Sequence, residues 1–447
     1  MAIMNEVEKL LEKAKQPGKE AMKLHPFYKG KMQTLPRCCV RDFNDFAIWY
    51  TPGVAEPCLD IRDHPDRVYD HTNKSNLVAV VSDGTRVLGL GDIGPEAALP
   101  VMEGKALLYR YLGGVDAFPI CLDTKDPDKI IETVLLLQPS FGGINLEDIA
   151  QPKCFEILET LRSTARIPIW HDDQQGTATV VLAGLINALK LVGKKMSEAR
   201  VAIVGAGASG VRTAWLISAA GVRPGNIIVC DSKGTLHRDR TDLEIKYPEK
   251  WELAKVTNAD NLKGDIPDAM AGADVLIALS KPGPGTIKKE WVAKMASRSI
   301  VFACANPVPE IFPWEAKEAG AEIIATGRSD FPNQINNSLG FPGIFRGALD
   351  VRTTNITDEM CIAAASELAK CSEDKGIHED HIVPTMDEWE VFPREAAAVG
   401  LKAIEQGLAK IKLTEQELRE SAFARIKMAR EQTQTLMREG FIQMPPD

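Results

Sequence analysis

Residues 200–221 read RVAIVGAGASGVRTAWLISAAG. A short apolar strand runs into Gly205, Gly207 and Gly210 and then into a helix. The next apolar run, NIIVCD, ends at Asp231, 21 positions beyond Gly210. Alone, G-x-G-x-x-G is a weak signal. Between a strand and a helix, with an acid closing the next strand, it predicts a Rossmann-type βαβ unit that binds a dinucleotide. Gly205 permits the tight turn, Gly207 lets the backbone approach a pyrophosphate, and Gly210 lets helix and strand pack closely. Around Ala208 and Ser209 the helix start offers free N–H groups and partial positive charge to phosphates. Asp231 can accept from a ribose 2′-hydroxyl, which favours NAD. Ser232 and Lys233 follow at once and can meet a 2′-phosphate, so NAD and NADP both stay open. A strand–helix turn without a ligand is the rival explanation, and the context weighs against it. A nicotinamide cofactor implies hydride transfer, which needs a substrate held by another part of the chain.

Upstream, strand and helix patterns alternate. NLVAVVSDGTRVLGLGDIG (76–94) predicts a buried strand, a turn and a second strand. PVMEGKALLYRYLGG reads as a helix, DAFPICLD as a strand and DPDKIIETVLLLQPSF as a helix. FGGINLEDI is a strand entering an acidic loop, PKCFEILETLR a helix, RIPIW a strand and GTATVVLAGLINALKLVGK a long helix. Beyond Asp231, ADVLIALS, SIVFACANP and AEIIATG are short strands, and helices fill the last 90 residues. One of these opens on the capping-box pattern Thr414-x-x-Glu417. The fold class is α/β: an N-terminal α/β substrate domain with a parallel sheet, a Rossmann-type dinucleotide-binding domain, and helical termini. The expected divisions are a helical segment 1–35, a substrate and metal domain 36–175 that is irregular up to 75, a dinucleotide-binding domain 176–395, and a helical segment 396–447.

His171, Asp172 and Asp173 stand where the strand RIPIW meets the long helix, and Glu147 and Asp148 follow the strand FGGI. Asp148 and Asp173 are 25 residues apart, about one helix and one strand. Neighbouring parallel strands would bring both acidic pairs to one carboxyl edge, where open α/β sheets bind ligands. Clustered carboxylates repel unless a cation joins them, and oxygen-only ligands suit Mg²⁺ or Mn²⁺. Separate helix caps and solvated loop acids are the competing explanation. His171 has no partner histidine at metal spacing and is expected to be structural or to support a ligand.

Composition narrows the classes further. The formal net charge of −9 argues against a general nucleic-acid binder. No window approaches the roughly 18 continuous apolar residues of a membrane span. The N-terminal stretch alternates charges with apolar residues, as an amphipathic helix does and a signal peptide does not. Nine cysteines without CxxC spacing are expected to be free thiols in a reducing cytoplasm, the role of Cys38–Cys39 staying open.

YTPGVAEPC, DGTRVLGLGDIG, EGKALLY, NLEDI, HDDQQGTA, VGAGASG, CANPVPEI and GRSDFPNQINNSLGFPGIFRGALD run in order from residue 50 to about 350. In these stretches the chain resembles the malic enzymes, particularly the shorter bacterial and archaeal type. The resemblance implies oxidative decarboxylation of L-malate to pyruvate and CO₂ with NAD or NADP and Mg²⁺ or Mn²⁺. By residue, it implies Glu147, Asp148 and Asp173 as metal ligands, Lys105 as general base, Asp172 as the acid beside it and Tyr50 as general acid. Arg86 corresponds to the arginine gripping a substrate carboxylate, Asn306 and Asn337 to residues touching substrate and nicotinamide, and Asn336 to the cofactor side. Without the resemblance, Tyr109 and Tyr111 would rank equally with Tyr50, and Lys105 could be a solvated helix lysine. A lysine removes a proton only when neutral, so Lys105 is expected to have its pKa depressed by burial near a cation. Malolactic conversion on the same scaffold and a non-catalytic dinucleotide sensor are the alternatives. A homodimer or higher homo-oligomer is expected, with no membrane or nucleic-acid partner.

Overall fold

The structure, a computed structural model, describes residues 2–446. Two parallel sheets organise it. The first has strand order β2-β1-β3-β4, with β1 Leu77–Ser82, β2 Asp116–Cys121, β3 Gly143–Leu146 and β4 Ile169–His171. The second is β10-β9-β8-β5-β6-β7, with β5 Val201–Val204, β6 Ile227–Asp231, β7 Gly234–Thr235, β8 Val275–Ala278, β9 Ser299–Ala303 and β10 Ala321–Thr326. All pairings are parallel except β6 with β7. Helices cover the sheets, so central strands such as β3, β5 and β8 are buried at every residue. That is why they read as unbroken apolar runs. In each sheet the strand order reverses beside the first strand, β1 or β5, and this is where open α/β sheets form a crevice.

The helix Thr177–Leu191 is buried nearly all round, as its composition TATVVLAGLINALKL requires. It packs against Ala208–Ala219 and Asp358–Lys375. The helices Phe341–Asp350 and Val391–Glu405 approach unusually closely. A Cβ on Gly343 would lie 2.0 Å from Glu395 Oε2, and one on Gly347 would lie 2.2 Å from the Ala396 carbonyl oxygen. The helix Glu415–Arg438, opened by the Thr414–Glu417 capping box, returns to the first sheet's layer and packs on Pro95–Gly113. Arg110 donates to Gln432, and a Cβ on Gly114 would meet the Arg425 backbone at 2.8 Å.

Three details differ from the sequence-based expectation. The second strand predicted within 76–94 does not form. Ile93 and Gly94 N–H groups donate back to Gly84, and a single Val87–Gly91 bridge is the only pairing described there. Leu88, Gly91 and Gly94 take positive φ, which bends RVLGLGDIG into a closed loop despite its apolar alternation. The stretch 36–75, expected to be irregular, holds the short helices Asp45–Trp49, Ala55–Asp63 and Val68–His71. Ala55–Asp63 buries no residue, so no apolar periodicity announced it. The two-residue β7 carries too little pattern to be seen. No helix among the described residues is long and apolar enough to cross a membrane.

Candidate active site

β3 and β4 pair with Leu146 opposite His171, so Glu147–Asp148 and Asp172–Asp173 leave the sheet side by side. Asp148 adopts φ +56°, and its N–H donates to Asp173 Oδ2 at 2.8 Å. After β4 the chain makes one π-helical turn, Asp172–Gly176, before the regular helix begins. Such turns often reposition side chains at functional sites. Here Asp172 is fully buried while Asp173 stays half-buried.

Glu147, Asp148 and Asp173 each offer an oxygen within 4.8 Å of the others. Burial, followed by repulsion from neighbouring acids, pushes Asp148 up to about 8 and Glu147 well above the carboxylate range. Asp173 is raised chiefly by burial, with Lys105 pulling it down. The Asp148 Oδ2 atom is buried with no hydrogen-bond partner described. Three converging carboxylates with an unsatisfied oxygen fit a hard divalent cation such as Mg²⁺ or Mn²⁺.

Lys105 reaches this edge from the helix Pro95–Gly113. Its Nζ lies 2.5 Å from Asp172 Oδ2, 3.0 Å from Glu147 Oε1 and 4.3 Å from the Phe341 ring centroid. Only 8% of the side chain is exposed. Gly104 beside it has open space where a Cβ would stand. The charge state of Lys105 is a balance of burial against its acidic partners. Burial does lower its pKa, but Asp172 and Glu147 outweigh burial and the net direction is upward. These carboxylates face the ammonium directly, and a divalent cation held by Glu147, Asp148 and Asp173 would compete with it for them.

Several residues supporting the site gave no sequence signal of their own. Trp170 Nε1 donates to Asp172 Oδ1 at 3.1 Å. Asn145 donates to Glu147 Oε2 at 2.8 Å and accepts from the Tyr109 hydroxyl at 3.0 Å. A Cβ on Gly176 would lie 1.9 Å from Asp172 Oδ1 and 3.3 Å from Asn337 Cβ. His171 is fully buried with both ring nitrogens unpartnered among the described residues. Burial pushes its pKa down to about 4, and Nδ1 stands 3.7 Å from Asp173 Oδ2.

Arg86 is exposed on the closed 83–94 loop, its N–H donating to the Asp148 carbonyl at 2.9 Å. Its charge lowers both Asp148 and Asp173. Asn306 is exposed after β9, and Asn336 is half-buried after β10. Each amide points at the Gly327 carbonyl, at 3.3 and 3.5 Å. Tyr109 is buried beside the acids, whereas Tyr111 lies under Arg430. Tyr50 is 73% exposed, and none of the described ion pairs or hydrogen bonds joins its hydroxyl to the acidic cluster.

In the second sheet, Gly205 has φ +111°, and a Cβ there would lie 2.3 Å from the Leu279 carbonyl. A Cβ on Gly210 would lie 1.8 Å from the Gly205 carbonyl. Gly207 has open space around its Cβ position, the cradle a pyrophosphate needs. Glu310, also unsignalled, accepts from Ser280 N–H at 2.9 Å and Ala305 N–H at 3.0 Å, tying the ends of β8 and β9. The two halves meet here: a Cβ on Gly89 would lie 3.4 Å from the Asn306 carbonyl and from Pro282.

A dinucleotide cradle and a buried lysine–carboxylate cluster, on touching sheet edges, define a two-domain α/β protein of the dinucleotide-binding class. The chain belongs to the malic enzyme family. The family's NAD binding domain matches residues 174–404, and its N-terminal domain matches 29–127 and 124–162. The chain is 51% identical to the bifunctional malic/malolactic enzyme of Bacillus subtilis over 90% of its own length and 96% of that protein. It is 52% identical to the NAD-dependent malic enzyme of Geobacillus stearothermophilus over 85% and 78%. Other relatives are named NADP-dependent malic enzymes. The crystal structure of Entamoeba histolytica malic enzyme superposes with a TM-score of 0.94 at 52% identity, covering 97% of this chain and 91% of that one.

Proposed function

We propose that the chain catalyses the oxidative decarboxylation of L-malate to pyruvate and CO₂ with reduction of NAD⁺ or NADP⁺. The carrying observation is the Lys105–Asp172–Glu147 ion cluster, buried beside three convergent carboxylates at the edge that meets the glycine cradle. Glu147, Asp148 and Asp173 would hold Mg²⁺ or Mn²⁺, which supplies Lewis-acid stabilisation of negative charge developing on the substrate's C2 oxygen. NAD⁺ or NADP⁺ on the Gly205–Gly210 turn supplies the hydride acceptor.

The chain's own groups do the rest. Once it has given up its own proton, a loss that a divalent cation on the neighbouring carboxylates would favour, Lys105 Nζ takes the C2 hydroxyl proton, with Asp172 fixing its position through the 2.5 Å contact. Arg86, exposed on its loop, binds a malate carboxylate by charge-assisted hydrogen bonds. Asn306 and Asn337 orient substrate and nicotinamide. Phe341, over the lysine, keeps that side of the site dry. Tyr50 delivers a proton to C3 after CO₂ leaves. Its exposure means that the segment carrying it must close over a site for this to happen. Phe43, Ile48 and Trp49 are exposed in the same segment, an apolar face that a second copy of the chain would cover. A homo-oligomer is therefore part of the proposal.

Initial rates with L-malate and each cofactor, with and without Mn²⁺, test this reading. Metal-dependent growth of nicotinamide absorbance is expected. Lys105→Ala should lower kcat about 10²-fold or more while dinucleotide still binds. Retention of more than about a tenth of the activity would remove Lys105 from the role of base. Similarity to a relative named as bifunctional favours one second reading, malolactic conversion with lactate as product. Product analysis separates the two, and no turnover at all would leave a dinucleotide sensor.

A further inference from the structure

Lys153 opens the helix Lys153–Thr164, where unpaired N–H groups already present positive charge and a cation is disfavoured. Its side chain reaches back to the end of β1 instead. Nζ lies 2.5 Å from Asp83 Oδ2 and donates to the Lys125 carbonyl at 3.0 Å. The Asp83 side chain is fully buried, and among the described residues Lys153 is the one cation paired with it. The other oxygen, Oδ1, accepts from the Thr85 N–H at 3.1 Å and from the Thr85 hydroxyl at 2.6 Å. A carboxylate stays charged inside a protein only when it is paired and hydrogen-bonded in this way.

Asp83 stands at the neck of the 83–94 loop, which carries Arg86. The neck is shut: a Cβ on Gly84 would lie 2.2 Å from the Gly94 carbonyl oxygen. Beyond it Leu88 and Leu90 are exposed. What places this loop is its seam with the acidic loop that follows β3. The Arg86 N–H donates to the Asp148 carbonyl at 2.9 Å, and the Ala150 N–H donates to the Thr85 hydroxyl at 2.9 Å. The Lys153–Asp83 pair is a third tie across the same seam, and the charged one. Resting on the reading of Arg86 as the group that grips a malate carboxylate, we infer that Lys153 and Asp83 are positioning residues. Their ion pair holds the Arg86 loop against the acidic loop, so that arginine and acids address one substrate at a set spacing. A loop ordered before substrate arrives binds it more tightly than one the substrate must order. Lys105 and Asp172 take no part in the seam, so the pair acts on malate binding rather than on the chemical step.

Two measurements on the full chain test this, amide hydrogen exchange over residues 83–94 and initial rates with malate. In Lys153→Met the loop is expected to exchange about tenfold faster, the size of one charge-assisted hydrogen bond. The KM for malate should rise about tenfold, with kcat and the KM for the dinucleotide within about twofold of the native values. Lys153→Arg keeps a cation at the position and should restore both loop protection and malate KM. Asp83→Asn combined with Lys153→Met leaves no unpaired buried charge, so it should do no more harm than Lys153→Met alone. This double variant carries the test if the single one does not fold. Unchanged loop exchange would overturn the inference. So would a loosened loop with native malate KM, or a fall in kcat and dinucleotide binding as large as the loss for malate. If Arg86→Ala leaves the malate KM as it was, the reading of Arg86 fails instead, and the exchange data still decide whether the ion pair holds the loop.

Discussion

Gly176 shows how little room the site allows. Its φ of −66° suits any residue, so only contact restricts it. An added methyl would stand 1.9 Å from Asp172 Oδ1. Gly176→Ala is therefore expected to push Asp172 off Lys105 and lower kcat about 10²-fold, while 5′-AMP binds normally. Unchanged turnover would show that Asp172 need not hold the lysine. The acids themselves were legible in the sequence, because NLEDI and HDD each end an apolar run. Asn145 and Trp170 were not. They sit opposite each other in the β3–β4 register and look like ordinary strand residues until that register is known. The upward direction of Lys105 was also invisible, since it depends on how many carboxylates converge on one ammonium.

Among the elements, the crossing of Phe341–Asp350 and Val391–Glu405 hides an acid. Glu395 is fully buried, neither carboxylate oxygen has a described hydrogen-bond partner, and burial raises its pKa well above the glutamate range. The folded state keeps it protonated where the unfolded chain would ionise it. Its contribution to stability is thus complete below about 4.3, the ordinary glutamate value, and is lost as pH rises from there through the folded value. One such proton gives a slope of at most about 1.4 kcal/mol per pH unit. Glu395→Gln keeps the shape without the charge, so thermal unfolding from pH 5 to 8 should fall less steeply in the variant. Identical slopes would mean that Glu395 does not titrate with folding. The helices themselves were readable from pattern. The contact of Gly343 with Glu395 was not, because nothing in one helix names the partner it crosses. The 83–94 loop misled for the converse reason: its apolar alternation mimics a strand, while its positive-φ positions forbid one.

For the molecule as a whole, the alternation of patterns announced two parallel sheets, and the glycine fingerprint placed the cofactor half. How the pieces meet was not announced. Tyr50, with 73% of its surface exposed, is the clearest case. If a second copy receives it, a mixture of Tyr50→Phe and Lys105→Ala chains should regain turnover that neither has alone, because one hybrid site carries both native groups. That rescue is the expected result. A mixture no more active than its components would place the tyrosine over its own chain's lysine. The helix Glu415–Arg438 raises a different matter, that of timing. It braces Pro95–Gly113, the helix that carries Lys105, through Gly114 and Arg110. During synthesis the clustered acids and the glycine cradle emerge from the ribosome long before that brace. The helix that carries the lysine therefore gains this support only after residues 415–438 have been translated.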